Sequence, residues 1–297
     1  MRAELARALA GAFLSDAPWD EPGLTARGRL VLGRRPAWLA PLVRQVLEIY
    51  PRPPADRPRE LTAVIATRSA AGRARSARPR SRPVASTRMV ANPFHLPELH
   101  DLGDVCSLLG IDDGELLWFS DPKRWARRTE QAALQHYRVS TRVSASGSTR
   151  VLEAPKPRLK TIQRRLLRQV LDLIGPHEAA HGFRRGRSVA SYAAPHAGRA
   201  VVVRLDLEGF FASVTVGRVY GILRTAGYPE PVAHALAGLV TSVLPLASWR
   251  AVPRPADPAL LPAQWRLGRR LAAPHLPGAR PPRRRSPTWP PAGSTSG

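Results

Sequence analysis

"VVVRLDLEGFFASV", residues 201–214, decides how this chain is read: an apolar run ends on an acid, and a glycine and two phenylalanines follow. Alternation puts Val201, Val203, Leu205 and Leu207 on one face and Val202, Arg204 and Asp206 on the other, which predicts a strand with Asp206 at its carboxyl end. Downstream, Val219, Ile222, Leu223 and Ala226 predict a helix closed by Gly227 and Pro229. A strand that ends on a carboxylate and turns directly into a helix offers that carboxylate from a rigid support. A surface aspartate paired with Arg204 is the plainer reading of the same residues.

Working upstream, "HGFRRGRS" at 181–188 concentrates arginine between two glycines. In "RLKTIQRRLLRQVLDLIG", residues 158–175, the residues Leu159, Ile162, Leu166, Val170 and Leu173 line one side of a predicted helix. Lys160, Arg164, Arg165 and Arg168 cluster away from it, and Gly175 and Pro176 end it. A solvated charged face would look the same. Before that helix, β-prone pieces at 137–143 and 149–153 flank "SASGS" as a hairpin would. Short helices are implied by Leu102, Val105, Leu108 and Leu109, then by Leu116, Leu117 and Phe119. Nearer the start, Trp38, Leu42, Val43, Val46, Leu47 and Tyr50 mark another helix, stopped by "PRPP".

The 297 residues carry a formal net charge of +24, and all but three of the 46 cationic side chains are arginine. A field of that sign favours a polyanionic partner over a neutral metabolite. The single cysteine, Cys106, excludes a disulfide framework and a cysteine zinc site. The segment "MRAELARALAGAF" has no long apolar stretch of the secretory kind. The run 231–249 reads as a buried helix better than as a membrane span. A soluble, cytoplasmic protein is expected.

The composition divides the chain into a helical unit at 1–66, a flexible basic linker at 67–92, a folded body at 93–276 and a disordered tail at 277–297. The tail, "GARPPRRRSPTWPPAGSTSG" from Gly278, has the composition of GC-rich DNA read out of frame. Back-translation permits Gly-Ala-Pro-Thr-Ser-Pro-Ala-Leu-Ala-Asn-Leu in another frame, so a frameshift near Gly278 is expected. A native basic tail that binds phosphate is the competing reading.

The order of hairpin, basic helix, "HGFRRGRS" and "VVVRLDLEGFFASV" resembles the fingers and first palm motifs of bacterial reverse transcriptases of the retron and group II intron type, over residues 136–241. The resemblance implies an α+β fold: fingers and an incomplete palm with an antiparallel sheet, after the helical N-terminal unit. It implies RNA-directed DNA synthesis with Mg2+, in which Asp206 is the first metal-binding carboxylate and the Leu207 carbonyl completes part of one ion's shell. It further implies that Arg150 contacts the incoming deoxynucleoside triphosphate and that Phe211 lies under its sugar, whereas Phe210 reads as core. Related hairpins often carry a lysine before the glycine turn, and here Arg142 is the nearest cation. Lys160, Arg164, Arg165, Arg168, Arg184, Arg185 and Arg187 would line a track for RNA template and DNA primer, with a dedicated noncoding RNA as a further partner. The family adds an Asp-Asp pair from a later hairpin. None follows Asp206; the only such pair is Asp112-Asp113, far upstream. The expectation is therefore a truncated polymerase with little activity, and a non-catalytic RNA- or DNA-binding protein is the alternative.

Overall fold

The computed structural model describes residues 2–15, 18–68, 77–182, 184 and 186–278. Four helices come first: α1 (Ala3–Phe13), α2 (Glu21–Leu32), α3 (Leu39–Ile49) and α4 (Pro58–Thr67). Leu5, Leu9 and Phe13 of α1 meet Leu24, Leu39, Leu42, Leu61 and Ile65 in a core of their own. Local chemistry sets the boundaries of α2: the Asp20 carboxylate accepts from the Gly23 N–H at 2.7 Å, and Gly33 closes the helix at φ 67°. Buried Arg27 closes the carboxyl end of α1, donating to the carbonyls of Phe13 at 2.6 Å and Ser15 at 2.8 Å. Burial lowers its pKa against the opposing pull of Asp20.

Residues 77–92 form neither helix nor strand, yet they are anchored on this unit. Arg80 N–H donates to the Val31 carbonyl at 2.7 Å, Arg82 pairs with Glu4, and Arg88 N–H donates to the Ala55 carbonyl at 3.2 Å. A Cβ at Gly11 would lie 2.1 Å from the Pro83 carbonyl oxygen, so only glycine lets the two backbones approach this closely.

The body is mainly helical: α5 (Leu102–Leu109), α6 (Asp113–Ser120), α7 (Trp125–Arg128), α8 (Pro157–Gln169), α9 (Val189–Ala193), α10 (Phe210–Ser213), α11 (Val216–Thr225), α12 (Glu230–Val240), α13 (Leu246–Arg250) and α14 (Leu261–Leu271). A second core gathers Val105 and Leu109 of α5, Leu116 of α6, Ile162 and Leu166 of α8, Leu223 of α11, and Val232, Leu236 and Leu239 of α12. Gly227, at φ 101°, turns the chain between α11 and α12 and abuts the Ala91 carbonyl. The N-terminal unit docks at that turn. Asp56 pairs with Arg224 at 2.7 Å, Glu230 N–H donates to the Asp56 carbonyl at 2.8 Å, and the Glu230 carboxylate accepts from Arg59 N–H at 2.6 Å. Burial raises the Asp56 pKa, but the guanidiniums of Arg224 and Arg57 outweigh that and bring it below the ordinary value.

Among the described residues the sheet is a single antiparallel hairpin, β1 (Tyr137–Val143) and β2 (Thr149–Pro155), in the register Tyr137 to Pro155 through Val143 to Thr149. The fold is thus mixed, helices with a small antiparallel sheet. Val151 of the hairpin joins Leu244, Val252 and Leu271 in a third, small core, with Val139, Ala212, Trp249 and Leu267 packed on it.

The strand expected over 201–207 is not formed. Val201, Val203 and Leu205 are 78%, 75% and 89% exposed, and no segment among the described residues pairs with them. A strand needs a ladder partner for its N–H and C=O groups, and β1 and β2 pair only with each other. Alternation alone cannot supply one.

Candidate nucleotide and nucleic-acid site

Asp206 therefore projects from an irregular, exposed segment rather than from the tip of a strand. Its carboxylate accepts from the Leu207 N–H at 2.9 Å. No ion pair to Arg204 forms among the described residues. Gly209, at φ 62°, starts the single turn of α10, and Arg270 of α14 donates to the Glu208 carbonyl at 3.2 Å. Sequence reading missed Arg270, because nothing local distinguishes it from the other arginines of α14. Phe211 and Phe210 meet edge to face at 5.5 Å and are 43% and 48% exposed, so Phe210 is not the core residue expected. Ala212, one residue on, packs on the small core that the hairpin shares, and this ties the Asp206 loop to the strand carrying Arg150.

Arg150 lies directly opposite Arg142 across the ladder. The inward face of the hairpin holds Tyr137, Val151 and Glu153, so Arg138, Arg142 and Arg150 fall on the outward face. Like charges directly opposed on one face destabilise a sheet unless an anion lies between them. A cavity of about 370 Å³ runs along this hairpin, with Arg138, Ser140, Arg142 and Leu152 in its wall.

The cations of α8 divide in two. Lys160, Arg164 and Arg168 face solvent opposite buried Leu159, Ile162 and Leu166, as expected. Arg165 instead turns onto α5 and donates to the Leu109 carbonyl at 2.6 Å, and Gly110 at φ 60° leaves room for its guanidinium. It caps a helix. Nearby, Arg158 is paired with Glu115. In the 181–188 loop Arg187 is exposed and Arg184 reaches the His177 carbonyl at 3.5 Å; Arg185 lies outside the described residues. The residues of the tail beyond Gly278 also lie outside them.

One buried group escaped the sequence reading. Glu153, inward on β2, accepts from Ser242 Oγ at 2.7 Å and pairs with His275 Nε2 at 2.7 Å. His275 Nδ1 lies 2.8 Å from the Ala273 carbonyl. Backbone bonds link His275 to Ser242 in both directions, at 2.8 and 2.9 Å, and Glu153 N–H donates to the Gly278 carbonyl at 3.1 Å. This is a clamp that holds the hairpin to the body. The one available signal was an acid at an apolar position of an alternating strand.

A two-magnesium centre needs several carboxylates around crowded phosphates. Among the described residues no three His, Cys, Asp or Glu side chains converge on a point, at Asp206 or elsewhere. The residues present do not fit a two-ion site. No helix among them is long and apolar enough to cross a membrane.

Comparison with known proteins finds similarity to retron reverse transcriptases. Retron Mx65 reverse transcriptase of Myxococcus xanthus is 42% identical over 148 residues, which is 50% of this chain and 33% of that protein. Retron Mx162 reverse transcriptase of the same organism is 39% identical over 146 residues, 49% of this chain and 29% of the relative. Retron Ec86 reverse transcriptase of Escherichia coli is 32% identical over 87 residues, 29% of this chain and 27% of the relative. Over the matched half, then, the chain is similar to reverse transcriptases of the retron type. It spans about a third of the length of the curated relatives it matches. No family model matches it.

Proposed function

We propose that the chain binds the components of RNA-directed DNA synthesis, an RNA template, a DNA primer and a deoxynucleoside triphosphate, with a dedicated noncoding RNA as the natural template. Asp206, with the Leu207 carbonyl beside it, is the carboxylate that would face a magnesium ion, and with these two oxygens alone the two-ion site is incomplete. Arg150 and the facing Arg142 take the triphosphate, through bidentate contacts that suit guanidinium. Phe211 underlies the sugar. Lys160, Arg164, Arg168, Arg184, Arg185 and Arg187 follow the nucleic-acid backbone, whereas Arg165 contributes through the fold, since its guanidinium is engaged. The observation that carries this reading is the small core joining the Arg150 hairpin to the Asp206 loop in a chain whose matched half is retron-like.

Because no cluster of three ligating side chains forms around Asp206 among the described residues, the chain is expected to bind nucleotide and RNA yet extend a primer weakly or not at all. Equilibrium binding of labelled deoxynucleoside triphosphate tests this. Arg150→Gln should weaken it about tenfold, in the range of a charge-assisted hydrogen-bonded contact. Unchanged binding rejects the assignment. The absence of a metal-holding cluster at Asp206 among the described residues also favours a second reading, a non-catalytic RNA- or DNA-binding protein. RNA binding that falls steeply with salt, with no deoxynucleotide binding at all, selects it.

A further inference from the structure

Helix α14 has one face in the small core and one in water. Leu267 and Leu271 pack inward with Trp249, and a Cβ at Gly268 would lie 2.4 Å from the Trp249 ring, so the helix is seated closely. The outward side presents Trp265, 68% exposed, with exposed Arg269 one turn further on, four residues along, and exposed Arg266 next to it in sequence, turned about 100° round the helix. Among the described residues neither guanidinium has a hydrogen bond or an ion pair, and α14 carries no acid. Gln264 donates to the Pro253 carbonyl at 2.7 Å, which brings the segment of exposed Arg254 alongside. A large ring left in water among unpaired guanidiniums is the composition of a surface that stacks bases and holds phosphates.

The placement strengthens this reading. The helix is about 16 Å long. At its start Leu260 lies against the hairpin turn, 3.1 Å from where a Cβ of Gly147 would be, and near its end Arg270 holds the Glu208 carbonyl beside Asp206. Trp265 thus lies midway between the hairpin that carries Arg150 and the loop that carries Asp206.

We propose that the outward face of α14 is a contact surface for single-stranded RNA, on which Trp265 stacks a base while Arg266 and Arg269 take the flanking phosphates. The proposal rests on the reverse-transcriptase reading, and it adds a surface outside the residues that reading uses. Charge complementarity selects the occupant: a chain of net charge +24 has little to gain from docking this basic face on another copy of itself.

The test is fluorescence anisotropy of an unstructured oligoadenylate RNA with the full chain across a salt series. Trp265→Leu, which keeps apolar bulk and removes the ring, should weaken binding about tenfold with the salt slope unchanged. Trp265→Phe should recover most of that loss. The double variant Arg266→Gln/Arg269→Gln should reduce the slope of log K against log salt by about 1.4. A thermal melt checks that each variant folds. Full RNA affinity in Trp265→Leu overturns the proposal. So does an equal loss of slope from Arg34→Gln/Arg35→Gln on the N-terminal unit, which would mean that total charge alone decides. A changed sedimentation coefficient of RNA-free Trp265→Leu with intact RNA affinity would also overturn it and assign the face to a protein partner. Deoxynucleotide binding through Arg150 is read separately, so a silent Trp265→Leu with that binding intact removes this surface and leaves the functional reading in place.

Discussion

At the scale of single residues, the Glu153–His275 pair is the most consequential contact in the body, because both side chains are fully buried and 122 residues separate them in the chain. Removing one partner of such a pair leaves an uncompensated polar group in the interior, and His275→Ala is expected to cost about 3 kcal/mol or more, measured by urea denaturation. The pair also sets a pH dependence. Burial by itself lowers the His275 pKa, but the hydrogen bond and charge of Glu153, with the Ala273 carbonyl, bring it above its ordinary value. A raised folded-state pKa gives stability that is complete below the unfolded imidazole's value of about 6.5 and is lost as pH rises through the folded one. The thermal midpoint should therefore decline from pH 6.5 upward more steeply in the native chain than in Glu153→Gln; parallel profiles would contradict it. Neither this pair, nor the capping of α5 by Arg165, nor the contact of Arg270 with the Glu208 carbonyl was legible in the sequence. The direction a long side chain takes depends on which distant carbonyl lies within reach, and linear spacing carries no record of that.

At the scale of elements, the hairpin and the helices α3, α5, α8 and α11 follow from the sequence because each is encoded by its own periodicity and its own stops. Asp101 and Asp104 form a capping box before α5, and Gly110 and Gly227 end α5 and α11 in left-handed conformations. Residues 201–207 show the limit of that logic, since their alternation is as regular as that of β1 and yet no ladder forms. Helices satisfy their backbone internally, whereas a strand borrows its partner from elsewhere in the fold. Gly227 makes a sharper prediction. Any side chain there meets the Ala91 carbonyl at 1.8 Å in a backbone region that L-residues avoid. Gly227→Ala should cost about 3 kcal/mol or more and loosen the α11–α12 turn, as seen by amide hydrogen exchange. Native-like protection at that turn would refute it.

At the scale of the whole molecule, the described residues form three hydrophobic cores tied together in part by polar links. The N-terminal helices meet the body through Asp56, Arg224, Arg59 and Glu230, and Arg224 and Asp56 are largely withdrawn from water. Asp56→Ala strands the Arg224 charge, so we expect a loss of about 2 kcal/mol and earlier exchange of amides in α1–α4 than in α12. Uniform exchange across both units would show that the cores cooperate without this link. The exposed 201–207 segment has a consequence for the behaviour of the protein in bulk. A β-prone, uncapped stretch is a template on which a second molecule can zip, and the chief brakes are the gatekeepers Arg204 and Asp206 and the mutual repulsion of strongly cationic particles. Concentrated samples should therefore stay clear in dilute buffer and turn turbid as added electrolyte shortens the range of that repulsion.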